Sequence, residues 1–120
     1  MEHELSALYD ITHGLGLAIL TPRWMEYCLD ESNVDRYVRF AVNVFGVDCK
    51  LPKTEIAKEG IRCLAEFLFD TLGLDDTFTK VGIAEKDFSV MAKKACKGGV
   101  IAGFKPLHQT DVENIFKMCL

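Results

Sequence analysis

The sequence has no apolar stretch long enough to cross a membrane and no basic region that would attract nucleic acid. Its longest apolar run, from Leu15 to Leu20, is far shorter than the ~20 residues that a membrane-spanning helix requires. The net charge is −4, and acidic and basic residues are mixed along the chain. The N-terminus also lacks a basic region followed by an apolar segment and a small-residue cleavage site. We therefore expect a cytoplasmic protein with neither nucleic acid nor a membrane as its partner.

Cysteine pairs with the spacing of a metal cluster are also missing. The five cysteines form an odd set without any C-x-x-C pair, and they lie at Cys28, Cys49, Cys63, Cys96 and Cys119. We expect free and mostly buried thiols.

Three further motifs lack the surroundings that their chemistry requires. The glycine-rich string from Lys97 to Gly103 follows a predicted helix and has neither dinucleotide nor Walker spacing, so we interpret it as a loop. Ser6 could form a catalytic triad with His13 and Asp10, but no nucleophile elbow surrounds it. His108 precedes the last predicted helix, and we assign it no role.

Helical periodicity is abundant. A chain of 120 residues with 49% hydrophobic content suffices for one domain, residues 1–120, and is too short for two ordinary ones. The absence of repeats or an alternating βα pattern predicts an all-α bundle of five to six helices. The predicted helices span Met1 or Glu2 to Tyr9, His13 to about Leu29, Val34 to Gly46, Thr54 to Leu72, Phe88 to Gly98, and a last segment from Thr110.

Capping residues set several of the predicted helix ends. Ser32 with Asp35, and Thr110 with Glu113, form possible capping boxes for the third and the last helix. Residues 74–83 show no helical period and are predicted to be an extended connector. In the second helix, Pro22 removes one internal hydrogen bond and is expected to bend or break the helix.

Two of the three histidines lie in the first sixteen residues. On one continuous helix His3 and His13 would be about 15 Å apart along the axis, on different faces. A break at residues 10–12, with Thr12 capping the second helix, would let both imidazoles face one cleft. By itself His13 is either a structural histidine or a metal ligand that the helix dipole keeps neutral. His3 and Asp10 are the nearby further donors, which leaves the ligand set incomplete.

The strings HELSALYDITHGLGLAI, residues 3–19, and PRWMEY, residues 22–27, resemble the metal-binding segment of iron-containing (group III) alcohol dehydrogenases. The similarity is closest to the butanol dehydrogenase branch, and residues 103–107 with Asp111, Val112 and Ile115 also resemble its C-terminus. The resemblance implies the helical, metal-binding C-terminal half of an enzyme. The α/β half that binds a nicotinamide dinucleotide in that family is absent from this chain.

The resemblance also implies roles for the two histidines. His13, immediately before Gly14, matches the last histidine ligand of a metal that is iron(II) or zinc. His3 matches a histidine near the nicotinamide and the substrate oxygen, a cofactor-binding position where it would relay a proton. The family's other ligands, an aspartate and two further histidines, would precede Met1. We therefore expect Met1 to be an internal methionine of a longer enzyme.

The function implied by this resemblance is that of an alcohol dehydrogenase C-terminal portion. The parent enzyme would use a metal and NAD(P)H to interconvert short-chain primary alcohols and aldehydes, such as butanol and butyraldehyde. We expect the isolated chain to bind neither cofactor tightly and to be inactive. The alternative is a non-catalytic helical interaction module derived from the family. Apolar surface that once faced the rest of the enzyme is expected to drive self-association or helix exchange.

Overall fold

The structure, a computed structural model, describes all 120 residues and contains six α-helices and no β-strand. This confirms the predicted all-α class and helix number. No helix combines the length and the apolar character needed to span a membrane. The helices are α1 (Glu2–Tyr9), α2 (His13–Cys28), α3 (Val34–Phe45), α4 (Lys53–Ala65), α5 (Phe88–Cys96) and α6 (Gln109–Met118).

The chain forms two compact units. The first unit comprises Met1–Arg23 and Asp75–Leu120, and the second comprises Trp24–Leu74. That residues 1–120 act as a single domain stays a prediction.

Three aromatic side chains form the centre of the first unit. Phe78, Phe88 and Phe116 are at most 2% exposed. Their ring centroids are 5.5 to 6.0 Å apart in tilted and edge-on arrangements, which aromatic pairs favour. Phe78 also donates its backbone N–H to the carbonyl oxygen of Cys119 at 2.7 Å. This core packs α5 against α6, since Phe88 belongs to α5 and Phe116 to α6.

Phe78 belongs to the segment for which an extended connector was predicted. That prediction was wrong for Thr79–Val81, which form a short 3₁₀ helix. The segment is too short to show a helical period, yet it buries a large side chain. Burial of the Phe78 ring, and not periodicity, therefore determines the path of this segment.

In the second unit, α3 packs against α4. Tyr37 of α3 lies beside Ala57 and Ile61 of α4, and all three are buried. The Tyr37 hydroxyl donates to the carbonyl oxygen of Met25 at 2.7 Å. Because burial disfavours the phenolate, the pKa of Tyr37 is raised well above its ordinary value.

The predicted capping box at the start of α3 was wrong. Asn33 is the N-cap residue, and the Ser32 hydroxyl donates to Asp30 Oδ1 at 2.5 Å. Asn33 accepts a hydrogen bond from the Asp30 N–H at 2.8 Å and donates to the Cys28 carbonyl at 2.7 Å. Ser32 therefore stabilises the preceding turn and not the helix.

The capping box predicted from Thr110 and Glu113 was also wrong, because α6 begins earlier. His108 is its N-cap residue, and its N–H donates to Asp111 Oδ2 at 2.9 Å. The Glu113 carboxylate instead accepts a hydrogen bond from Gln109 Nε2 at 3.0 Å. The helix therefore uses the capping box of His108 and Asp111, two residues before the predicted one.

Two predicted helices differ from expectation in their interiors. α2 continues through Pro22, so the helix does not break there, and the predicted bend stays a prediction. The predicted helix from Thr54 to Leu72 consists of α4 followed by a π-helix, Glu66–Thr71. A π-turn rotates the side chains away from a 3.6-residue period, and Leu72, the last residue of the predicted helix, is 53% exposed. The self-association expected from exposed apolar side chains stays a prediction.

Gly60 allows α3 and α4 to approach closely. A Cβ atom at Gly60 would lie 2.6 Å from Ala41 Cβ and 3.1 Å from Ala41 Cα. We predict that Gly60→Ala lowers the free energy of unfolding by about 2 kcal/mol, because overpacking outweighs the gain in helix propensity. Urea denaturation followed by circular dichroism measures the change.

Gly14→Ala is the matched control for this prediction, since an added Cβ there meets no atom within 4 Å. It should leave stability unchanged or raise it by up to about 1 kcal/mol. Adding Ala41→Gly to Gly60→Ala should recover part of the lost stability, because it removes the 2.6 Å contact and leaves the 3.1 Å contact with the Cα atom of residue 41. Equal stability of Gly60→Ala and the wild type would contradict close packing at this position.

All five cysteines are free, and Cys28, Cys96 and Cys119 are buried, as predicted. Burial raises the pKa of the Cys119 thiol to about 12, whereas Cys49 is exposed. Since the thiolate is the nucleophile, we predict fast labelling of Cys49 by a disulfide reagent at pH 8 and labelling of Cys119 only after denaturation. Cys49→Ser should abolish the fast phase. Native labelling of Cys119 at the rate of Cys49 would contradict the burial described.

Candidate functional site

The candidate site is formed where α1 turns back toward the start of α2. Asp10 ends α1 in the left-handed conformation, with φ of 55°, and donates its N–H to the Ser6 carbonyl at 3.0 Å. Thr12 accepts a hydrogen bond from the Leu15 N–H at 3.4 Å through its hydroxyl oxygen. The predicted break at residues 10–12 is therefore confirmed, and it brings the first turn of α1 to the first turn of α2.

Glu2 is the buried charged residue at this junction, with 5% of its surface exposed. Its Oε2 lies in hydrogen-bonding contact with Nδ1 of His13. Its Oε1 accepts a hydrogen bond from the Ser6 hydroxyl. Both carboxylate oxygens therefore have partners, as a buried charge requires.

Gly16 provides the space that the Glu2 side chain occupies. A Cβ atom at Gly16 would lie 2.7 Å from Cγ and 2.8 Å from Cδ of Glu2, closer than atoms can pack. Glycine is required here for close approach, since Gly16 lies inside α2 and needs no unusual backbone angle. Only a residue without a side chain lets the carboxylate reach His13 along the surface of α2.

The His13 ring contacts Glu2 through Nδ1 and is otherwise mostly exposed to solvent. Its side chain is 70% exposed, whereas that of Glu2 is 4% exposed. The protein therefore occupies Nδ1 and leaves most of the ring accessible. A ring that is bonded through Nδ1 and otherwise exposed can bind a ligand through Nε2, and the choice between a metal ligand and a structural histidine stays a prediction.

The structure does not bring the other predicted donors to His13. His3 lies in α1 and is exposed, and Asp10 is exposed at the helix end. The carboxylate on His13 comes from Glu2, eleven residues away, which the sequence interpretation missed. A glycine inside an otherwise helical stretch, Gly16, was the one signal of a close approach at this place. The roles of His3 and His13 stay predictions.

A metal ion would find too few donors in this chain alone. No group of three or more histidine, cysteine, aspartate or glutamate side chains is placed to hold one. Zinc and ferrous iron sites in proteins use at least three protein ligands. His13 fits the chemistry of one ligand, and the remaining ligands would have to come from outside these 120 residues.

Tyr9 fixes the other end of α1. Its hydroxyl contacts the Asp87 carboxylate and accepts a hydrogen bond from the Ala84 N–H at 3.3 Å. Partial burial and the bond to Asp87 raise the pKa of the Tyr9 hydroxyl. α1 is thus attached to the segment that leads into α5, which keeps Glu2 in place against α2.

A surface depression of about 230 Å³ in the second unit contains none of the predicted site residues, and it is lined by Phe45, Arg62, Cys63, Glu66, Phe67 and Thr71. Arg62 forms ion pairs with Glu59 and Glu66, which lower the pKa of Glu59 and leave the guanidinium fully paired. Burial raises the pKa of the Cys63 thiol, which disfavours the reactive thiolate. The depression has no group placed for chemistry.

The complete chain, residues 1–120, matches the family model for the C-terminal part of the Fe-containing alcohol dehydrogenase family. The protein belongs to this family. It is 46% identical over 119 residues to the NADH-dependent butanol dehydrogenase A of Clostridium acetobutylicum. The aligned region covers 98% of this chain and 30% of that relative. It is 41% identical over 122 residues to the probable NADH-dependent butanol dehydrogenase 1 of Bacillus subtilis, with 100% of this chain and 31% of the relative covered.

A solved structure agrees with this assignment. The crystal structure of the NADH-dependent butanol dehydrogenase A of Thermotoga maritima has a TM-score of 0.83 and 32% identity, over 98% of this chain and 31% of that chain. The predicted resemblance and the predicted fold are confirmed. The chain spans about 30% of the length of the relatives it matches.

Proposed function

We propose that this chain is the helical C-terminal portion of a metal-dependent alcohol dehydrogenase and contributes one metal ligand, His13. The parent reaction is hydride transfer between NAD(P)H and a short-chain primary aldehyde such as butyraldehyde. The observation that carries the proposal is the state of His13, whose Nδ1 contacts a buried carboxylate while the ring stays 70% exposed. Histidines that ligate metals typically have such a carboxylate or carbonyl partner on the second ring nitrogen.

Two histidines of this chain would take part in the proposed reaction. His13 would hold the metal, iron(II) or zinc, through Nε2. The metal, when bound, would act as a Lewis acid on the substrate oxygen. His3 is exposed on α1, a position from which it would relay a proton near the nicotinamide. The isolated chain, with one ligand and no dinucleotide site, would be inactive.

A chimaeric enzyme tests the proposal. The 120 residues replace the corresponding C-terminal 30% of the Clostridium acetobutylicum relative, to which they are 46% identical. We expect the purified chimaera to contain iron or zinc and to oxidise NADH with butyraldehyde. The isolated chain should contain no stoichiometric metal and should show no turnover in the same assay.

Two outcomes would contradict the proposal. Turnover by the isolated chain would show that a complete site is present without further ligands. A folded chimaera that contains no metal would show that His13 does not serve as a ligand, and it would favour the alternative of a non-catalytic helical interaction module. Circular dichroism and gel filtration establish folding in each case.

A further inference from the structure

We infer that Glu2 is a positioning residue that fixes the tautomer and the orientation of His13, with the proton on Nδ1 and the lone pair on Nε2. No part of this inference requires a bound metal, although its meaning for catalysis rests on the function proposed above. The residues that carry it are Glu2, Ser6, His13 and Gly16.

The hydrogen-bond pattern determines the tautomer. The Ser6 hydroxyl donates to Oε1 of Glu2, and Oε2 is the atom that contacts His13 Nδ1. A carboxylate oxygen that faces Nδ1 is a hydrogen-bond acceptor, so the contact is a hydrogen bond when Nδ1 carries the hydrogen. In the neutral imidazole the other nitrogen, Nε2, then has the lone pair that a metal or a proton donor would use. A free imidazole in water favours the opposite tautomer.

The packing determines the ring orientation. Glu2 is 5% exposed and occupies the space above Gly16, so its carboxylate has little freedom to follow a rotating ring. Tyr9 and the Asp10 cap fix the other end of α1. A ring that is 70% exposed would otherwise rotate freely, which would weaken any ligand bound through it.

Nitrogen-15 spectra of the complete 120-residue chain test this directly. Two-bond proton–nitrogen correlations recorded at pH 9 distinguish a protonated ring nitrogen from one with a lone pair. We expect a protonated Nδ1 and an unprotonated Nε2 for His13. The exposed His3 is the internal reference in the same spectrum and should show the tautomer preference of free imidazole.

Two variants remove the contact by different means. Glu2→Ala deletes the carboxylate, and Gly16→Ala leaves Glu2 in the sequence but places a Cβ where its side chain lies. Both should shift His13 from the Nδ1–H tautomer to predominantly Nε2–H. Gly14→Ala, in the same helix, adds a Cβ that meets no atom within 4 Å and should leave the tautomer of His13 unchanged.

The inference is overturned if wild-type His13 carries its proton on Nε2, or if neither variant changes the tautomer. The wild-type spectrum alone decides the first point, so the test does not depend on the folding of any variant. Failure of this inference can be distinguished from failure of the proposed function, because a chimaera without metal would leave the tautomer of His13 in the free chain unaffected.

Discussion

His13→Ala in the chimaeric dehydrogenase is expected to abolish stoichiometric metal binding and to lower kcat/KM for butyraldehyde by at least about 100-fold. Loss of a residue behind a metal ligand costs 10–100-fold, so loss of the ligand itself should cost no less. Because the His13 side chain is 70% exposed, its truncation removes little packing and should leave the fold intact. Metal analysis of the purified protein and steady-state kinetics measure the two effects.

His108→Ala is the matched control for this variant. His108 is also exposed and also lies at the start of a helix. The substitution retains the backbone N–H that bonds to Asp111 and removes only the side chain's part of this capping box, which lies outside the candidate site. Metal content and kcat/KM should stay within a factor of about two of the unmutated chimaera, since surface substitutions away from a site are close to neutral. A His13→Ala chimaera that keeps its metal would contradict the assignment of this ligand.

Phe78→Ala is expected to cause the largest loss of stability, about 3–5 kcal/mol. Its ring is fully buried against Phe88 and Phe116, so truncation loses the transfer free energy of the ring and leaves a cavity. The free energy of unfolding of natural proteins is only about 5–15 kcal/mol, so this variant would lose a large fraction of its stability. Urea denaturation monitored by circular dichroism measures the shift in the midpoint.

Phe67→Ala is the control for the size of the aromatic group. Phe67 is 45% exposed, so the same truncation should cost less than half as much. Equal effects of the two substitutions would show that Phe78 is not part of a tightly packed core. The backbone bond from Phe78 to Cys119 is retained in the alanine variant, which confines the comparison to the side chain.

Much of the helical architecture was predictable because its causes lie within a few residues along the chain. The recurrence of Val34, Tyr37 and Ala41 at helical spacing located α3, and Gly46, with φ of 66°, ends it as predicted. The break after α1 was predictable from Asp10 and Thr12, since these residues favour caps over helix interiors. The family was recognised from the residues around His13 and from the C-terminus, and the comparison with the family model agrees.

The predictions that were wrong involve a choice between equivalent local signals. Ser32 and Asn33 are both good capping residues, and the bond from Asn33 to the Cys28 carbonyl selects Asn33. The π-turn after Ala65 has no periodic signal, because a 3.6-residue pattern cannot indicate one extra residue in a turn. The burial of Phe78 depends on α5 and α6, which lie later in the chain.

The sequence by itself therefore determined the all-helical class, most helix positions, the family and the candidate ligand His13. Only the tertiary structure decided that Glu2 reaches His13, that Ser6 holds the carboxylate, and that Gly16 makes room for it. The physical reason is the range of the interactions. Periodicity and capping act over three or four residues, whereas the contact between Glu2 and His13 forms between two helices, one of which the Tyr9 hydroxyl attaches to a segment 75 residues further along the chain.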